Sequence, residues 1–254
     1  MEFVQEKDTS VSIDDEILSV VTIVDDEVMG RCLEAKNDHS VGSCLFKDTT
    51  VIFASNDEDN DSVEQKCVSF LARLQNHKKK PKVTLARVKT FINALADDES
   101  GLVQSLDTAR NFLQAIVLLL QHTHQGKTQT QAQSPPSPQM MALIQALGPV
   151  HPEECTALIA HLRSLPAHKN VLPPLSVLSN EMAGRVLGVM NNNQLQLELF
   201  QGSGIFPYAC ILQHDCRPNC SFSSSLDGSQ CFITAIRGIK AGKVIAGNKP
   251  PLLP

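Results

Sequence analysis

The sequence predicts an α+β fold in which short β-strands at either end are split by a helical insertion. Three observations predict it. β-Branched runs broken by turn residues fill positions 17–55, apolar residues recur at helical spacing across 56–190, and strand-like alternation returns from about Leu195.

The elements follow in order. Residues 1–16 form an acidic N-terminal tail. "ILSVVTIV", "RCLEAK", "SCLF" and "TTVIFAS" read as short strands in a meander, interrupted at Asp25-Asp26, Met29-Gly30 and Asn37-Asp38. An acidic run, "NDEDNDS" at 56–62, reads as a solvated spacer. Beyond it, Val63, Cys67, Phe70, Leu71 and Leu74 share a helical face, as do Leu85, Val88, Ile92 and Leu95. Leu102, Leu106, Ala109, Leu113, Ile116, Val117 and Leu120 make a longer stripe. The Gln/Thr/Pro-rich stretch at about 121–139 has little to bury and reads as a disordered linker. Helical periodicity resumes at Met140–Leu147, at Glu153–Leu165 and at Leu175–Met190. Pro152 and the two glutamates after it suit the first turn of the second of these. "QLQLELF" alternates over Leu195, Leu197 and Leu199, "CFITAI" is a further strand, and "IKAGKVI" places a turn at Ala241-Gly242 before a last one. The C-terminal β region spans 191–246, and 247–254 reads as an aberrant tail.

Composition excludes several classes. The 254 residues carry a net charge of −5, so the electrostatic footprint of a nucleic-acid binder is absent. The longest apolar run, Ala115–Leu120, is too short to span a bilayer. The acidic first residues lack the pattern of a signal peptide. The eight cysteines include no C-x-x-C pair, and without a secretory signal they read as free thiols rather than a disulfide framework. Four of them crowd into Cys210–Cys231, as metal ligands or packed strand residues. The basic run His77–Lys82 reads as a solvated loop, and His122 and His124 lack neighbouring partners for a metal. No Walker sequence, nucleophile elbow or H-E-x-x-H is present.

One segment stands apart: "GIFPYACILQHDCRPNCSF", residues 204–222. From its residues alone it is a tight, irregular crossing loop, stiffened by Pro207 and Pro218, with Asn219 able to bond its own backbone. His214, Cys216 and Cys220 are too few for a zinc site.

This segment resembles the "G-L-Y-P-x-x-S-L-L-N-H-S-C-x-P-N" signature of SET-domain protein-lysine methyltransferases, most closely the SET-and-MYND-domain branch. Gly204, Phe206, Pro207, Leu212, His214, Cys216, Pro218, Asn219 and Cys220 fall in register. "GRCLEAKNDHSVGSCLF" is similar to the family's opening segment, "LGVMNNNQLQLELF" to its helix-to-strand segment, and "CFITAIRGIKAGKVI" to the strand and turn near its end. The resemblance covers about residues 17–246, its helical middle matching the insertion that this branch carries.

The resemblance implies a SET-type β-fold, S-adenosyl-L-methionine as cofactor, and a protein substrate presenting a histone or non-histone lysine. It implies no direct nucleic-acid or membrane partner, and a cytoplasmic or nuclear location. Carried over by position, the cofactor-binding residues are Gly30, Arg31, Asn193, Gln213 and His214. By the resemblance Cys216 corresponds to a cysteine that joins three later ones around zinc in relatives, but without those partners no metal ligand is assigned, and no catalytic residue is carried over.

The departures shape the expectation. Gln213 stands where the family has asparagine, one methylene longer, and Asp215 replaces serine. Cys32 takes the place of the second glycine of the opening turn, a strained position if it needs positive φ. The single tyrosine, Tyr208, is not at the position of the family's catalytic tyrosine. The zinc-binding cysteines that follow the motif in relatives, and the MYND finger, are not present. The expectation is a truncated and impaired methyltransferase chain. The alternative is a non-catalytic SET-like interaction module.

Overall fold

In the computed structural model, which describes residues 13–55, 64–65, 67–70, 83–97, 99, 101–103, 105–124, 147–168, 170–197 and 202–248, the first described element is a helix where the sequence suggests a strand. Helix α1 (Ile13–Val20) takes in Ile17–Val20 and the end of the acidic tail. Asp14, Asp15 and Glu16 occupy its first turn, where carboxylates suit the positive end of the helix. The acidic spacer at 56–62, the basic run His77–Lys82, the linker from 125 to 139 and the tail from 249 lie outside the described residues.

The chain divides into two compact units. The first comprises Met1–Thr49, Ile211–Ser223 and Gln230–Pro254, and the second Thr50–Cys210 and Ser224–Ser229. The chain passes between the two units at 49/50, 210/211, 223/224 and 229/230.

In the first unit, β1 (Val21–Asp26) and β2 (Gly30–Ala35) form an antiparallel hairpin. A five-stranded sheet is built on β3 (Cys44–Thr49), which runs antiparallel to β9 (Gln230–Ala235) and receives α1. Its order is β3-β9-β8-β10-β7, with β7 (Gln213–His214), β8 (Cys220–Ser224) and β10 (Ala246–Gly247). Ile17, Cys32, Leu33, Leu45, Phe46, Cys231, Ile233 and Ile245 are buried in this unit. In β9 the alternate residues Cys231, Ile233 and Ala235 are the buried ones, as the strand period requires. Strand β10 reaches Gly247, inside the stretch expected to be an aberrant tail.

In the second unit, β4 (Ile52–Ser55), β5 (Leu195–Leu197) and β6 (Gly202–Ile205) make an antiparallel sheet in the order β4-β6-β5. Leu195 and Leu197 are buried and Gln196 is exposed, as the alternation requires, while Leu199 lies outside the described residues. The helices are α2 (Leu85–Ala96), α3 (Leu106–His124), α4 (Pro152–Ser164) and α5 (Asn180–Asn193). Helix α3 packs on β4 and β6, on α2 and on α5, so these strands gather with the helices. It runs to His124, four residues into the expected linker. Pro152 is in the first turn of α4 as the sequence suggests.

The helical reading of Leu175–Met190 needs correction at its start. Helix α5 begins at Asn180, where the Ser179 hydroxyl accepts from the Met182 N–H at 3.0 Å. Residues before it are turns, held by the Arg163 guanidinium, which donates to the carbonyls of Pro173 and Leu178 at 2.9 Å each. Helices α4 and α5 pack closely where α5 carries Gly184, while Gly188 lets it approach Pro149 and Val150 just before α4. A Cβ at Gly184 would lie 2.6 Å from the Thr156 backbone nitrogen and 2.7 Å from its Cα.

Candidate functional site

The site is built first by the β1–β2 hairpin. Its turn is fixed by Asp26, whose Oδ1 accepts from the backbone N–H of Val28 and of Met29 at 2.8 Å each. Those two bonds hold the Asp26 carboxyl below the usual carboxylate range. Gly30 closes the turn with φ 71°, a conformation that favours glycine. No atom lies within 4 Å of where its Cβ would be, so the main chain there is open to close approach. The positive φ belongs to Gly30 and not to Cys32. Cys32 is an ordinary buried strand residue opposite Val24, so the strain considered for it does not arise. Burial, with Asp26, Glu34 and Asp25 nearby, raises its thiol pKa and keeps it protonated.

The outer edge of β2 meets the C-terminal segment. Ala35 O accepts from the Gly242 N–H at 2.8 Å, and Leu33 O from the Ile245 N–H at 2.8 Å. Two residues further along the same edge, Arg31 O accepts from Gln213 Nε2 at 2.7 Å. The segment then becomes β10, which lies between β7 and β8 and parallel to both. Ala246 stands opposite Gln213, and Gly247 opposite both His214 and Cys220. Gln213–His214 and Cys220 of the 204–222 motif thus flank β10.

Asn219 locks this crossing. Its Oδ1 accepts from the Ala246 N–H at 2.9 Å, and its Nδ2 donates to Val244 O at 2.8 Å. Its backbone N–H donates to Ala246 O at 3.0 Å. Its carbonyl accepts from the N–H groups of Ile236 and Arg237. The side chain therefore bonds a segment far along the sequence, not its own backbone as the sequence suggested. The motif register pointed to Asn219, but only the fold shows what its amide holds.

Four of the five candidate residues, Gly30, Arg31, Gln213 and His214, lie in the first unit. Arg31 and Gln213 are joined directly by the bond above. His214 is exposed, and its Nε2 lies 3.5 Å from Cys216 Sγ, also exposed. The Asp215 carboxylate accepts from the Arg217 N–H at 2.7 Å, which shapes the turn after His214. Asn193 belongs to the second unit, at the end of α5. Its Nδ2 donates to Gly148 O at 3.2 Å and Val189 O at 2.9 Å, and its carbonyl accepts from the Cys210 thiol. One amide proton thus ties the end of α5 to the loop before α4, and the other bonds back to the helix's own carbonyl four residues earlier.

The clustered cysteines are mainly packing. Cys220 is a buried residue of β8 and Cys231 of β9, while Cys210 is buried beside α5. All eight are free. Among the described residues no group of three or more His, Cys, Asp or Glu side chains is placed to hold a metal ion.

This arrangement defines a class. The SET-domain family model matches residues 21–246, and the chain belongs to the SET-domain family. Among solved structures, it is similar to the SET domain of LSMT bound to lysine and AdoHcy, at 12% identity and a TM-score of 0.42. That alignment covers 91% of this chain and 49% of the other. Rubisco LSMT bound to AdoMet is similar at 11% identity and a TM-score of 0.41, over 90% of this chain and 48% of that one. The chain thus spans about half the length of these structures. No curated protein matches the sequence.

Proposed function

We propose that the first unit is a cofactor-binding scaffold of the protein-lysine methyltransferase type, taking S-adenosylmethionine and serving a protein lysine. The observation that carries this is the crossing, in which the motif residues 213–220 flank β10 while the hairpin presents Gly30. The residues present suit the cofactor. The open main chain at Gly30 and the exposed His214 offer backbone for close approach. Bound there, the cofactor supplies a methyl group on a sulfonium, ready for in-line transfer to an uncharged amine. The protein's part is to hold both reactants in attack geometry and to keep water out. The resemblance of its segments supports the SET-and-MYND branch, with a histone or other protein of the cytoplasm or nucleus as the substrate.

Transfer by this chain is expected to be weak. Its one tyrosine, Tyr208, is buried in the turn before Ala209 in the second unit. The same observation favours the second reading, a SET-like module that binds without catalysis. Equilibrium dialysis with labelled S-adenosylmethionine tests the scaffold. Retention near one equivalent per chain supports it, and none at millimolar cofactor rejects it. Incubation with histones and whole-cell protein then separates the readings, since label transferred at the rate of an active methyltransferase contradicts the impairment.

A further inference from the structure

The residue at the motif's asparagine position has a different task in this chain. We infer that Gln213 is a positioning residue that clamps the opening hairpin, and not a side-chain ligand of the cofactor; this rests on the reading of the site given above.

The outer edge of β2 presents three carbonyls at a period of two: Ala35, Leu33 and Arg31. The C-terminal segment satisfies the first two through Gly242 and Ile245. It then turns away to pair with β7, so its backbone does not continue to Arg31. There Gln213, the β7 residue opposite Ala246, extends Nε2 to Arg31 O at 2.7 Å. The side chain replaces the next rung of the ladder. Arg31 adjoins Gly30, whose φ of 71° sets the turn. The clamp therefore fixes the main chain that the proposed cofactor approaches.

Length decides whether the clamp can form. Asparagine is shorter by one carbon–carbon bond, about 1.5 Å. From 2.7 Å, that loss carries the amide beyond hydrogen-bond range without a backbone shift. The methylene that looks like a defect of the motif is what spans the gap. Glutamate has the reach but, ionised, has no proton to donate.

The two substitutions therefore give a test that the direct-ligand reading answers in the opposite sense. Gln213→Asn restores the family's amide and keeps the donor but loses reach, while Gln213→Glu keeps reach and loses the donor. Amide hydrogen exchange over residues 26–33 and calorimetric titration with S-adenosylmethionine are measured for both variants and the unaltered chain. The clamp predicts exchange faster by about 2- to 10-fold in both variants, and weaker cofactor binding in both. Gln213 is half-buried at the end of a two-residue strand, so the melting temperature stays within a few degrees. Tighter binding by Gln213→Asn with unchanged exchange would overturn the inference, as would unchanged exchange in both variants. If the unaltered chain binds no cofactor, the functional reading fails, and the exchange result alone decides the clamp.

Discussion

Replacing Asn219 by alanine removes the two side-chain bonds that tie the motif to the C-terminal segment. The bonds are 2.9 Å from the Ala246 N–H and 2.8 Å to Val244 O. A typical hydrogen bond contributes about 0.5–1.5 kcal/mol net, and more is lost when its partner stays buried without a replacement. Ala246 is buried, so its N–H gains little from water once Oδ1 is gone. The backbone bond from Asn219 N–H to Ala246 O survives the substitution and limits the loss. The sum is about 2–3 kcal/mol. At about 2–4 °C per kcal/mol for a chain of this size, the melting temperature should fall by roughly 4–12 °C. Circular dichroism melting is the assay, with amide exchange over 244–247 as the local readout. Asn219→Asp, which keeps the acceptor and loses the donor, should fall between the alanine variant and the unaltered chain. A melting temperature for Asn219→Ala within 1 °C of the unaltered chain, with unchanged exchange at 244–247, would refute the account of the crossing.

Three further outcomes are expected. Gly184→Ala gains up to about 1 kcal/mol in helix propensity. It nevertheless sets a Cβ against the Thr156 backbone, and overpacking of about 1–3 kcal/mol should win, lowering the melting temperature. His168 is buried edge-on to Phe91, and burial, with His161 nearby, lowers its pKa. The unfolded chain therefore binds the proton more readily, so urea-measured stability should fall as pH drops below about 6.5, a slope that His168→Gln should lose. Under native conditions a maleimide should label the exposed Cys44 and Cys216 first, and the buried Cys32, Cys155, Cys220 and Cys231 only on unfolding, as read by peptide mass spectrometry.

The alternating strands were legible because one face is buried. Leu195 and Leu197 in β5, and Cys231 and Ile233 in β9, show it in sequence and in structure alike. Helix α1 was not legible in that way. Ile17–Val24 is a nearly continuous apolar run that suits a strand as well as a helix, and the acidic first turn decided between them. The pairing of β10 was also hidden, because a two-residue parallel strand has no periodicity of its own. Its partners are chosen by Asn219 and by the edge of β2, tens of residues away. The motif register named five candidate residues, of which Gly30, Arg31, Gln213 and His214 lie in one unit and Asn193 in the other. It could not show that the amides of Gln213 and Asn193 bond to main-chain carbonyls, because side-chain partners depend on distances that spacing does not encode.

We propose that the hairpin and the crossing together form a site for S-adenosylmethionine. Isothermal titration of the full chain with that cofactor, alone and as Gly30→Val, tests it most directly. Valine at φ 71° is strained and fills the open space beside the turn. The account predicts one site per chain, displaced by S-adenosylhomocysteine and weakened tenfold or more by the substitution while the circular dichroism spectrum is retained. No binding by the unaltered chain, or equal binding by the valine variant, would contradict it.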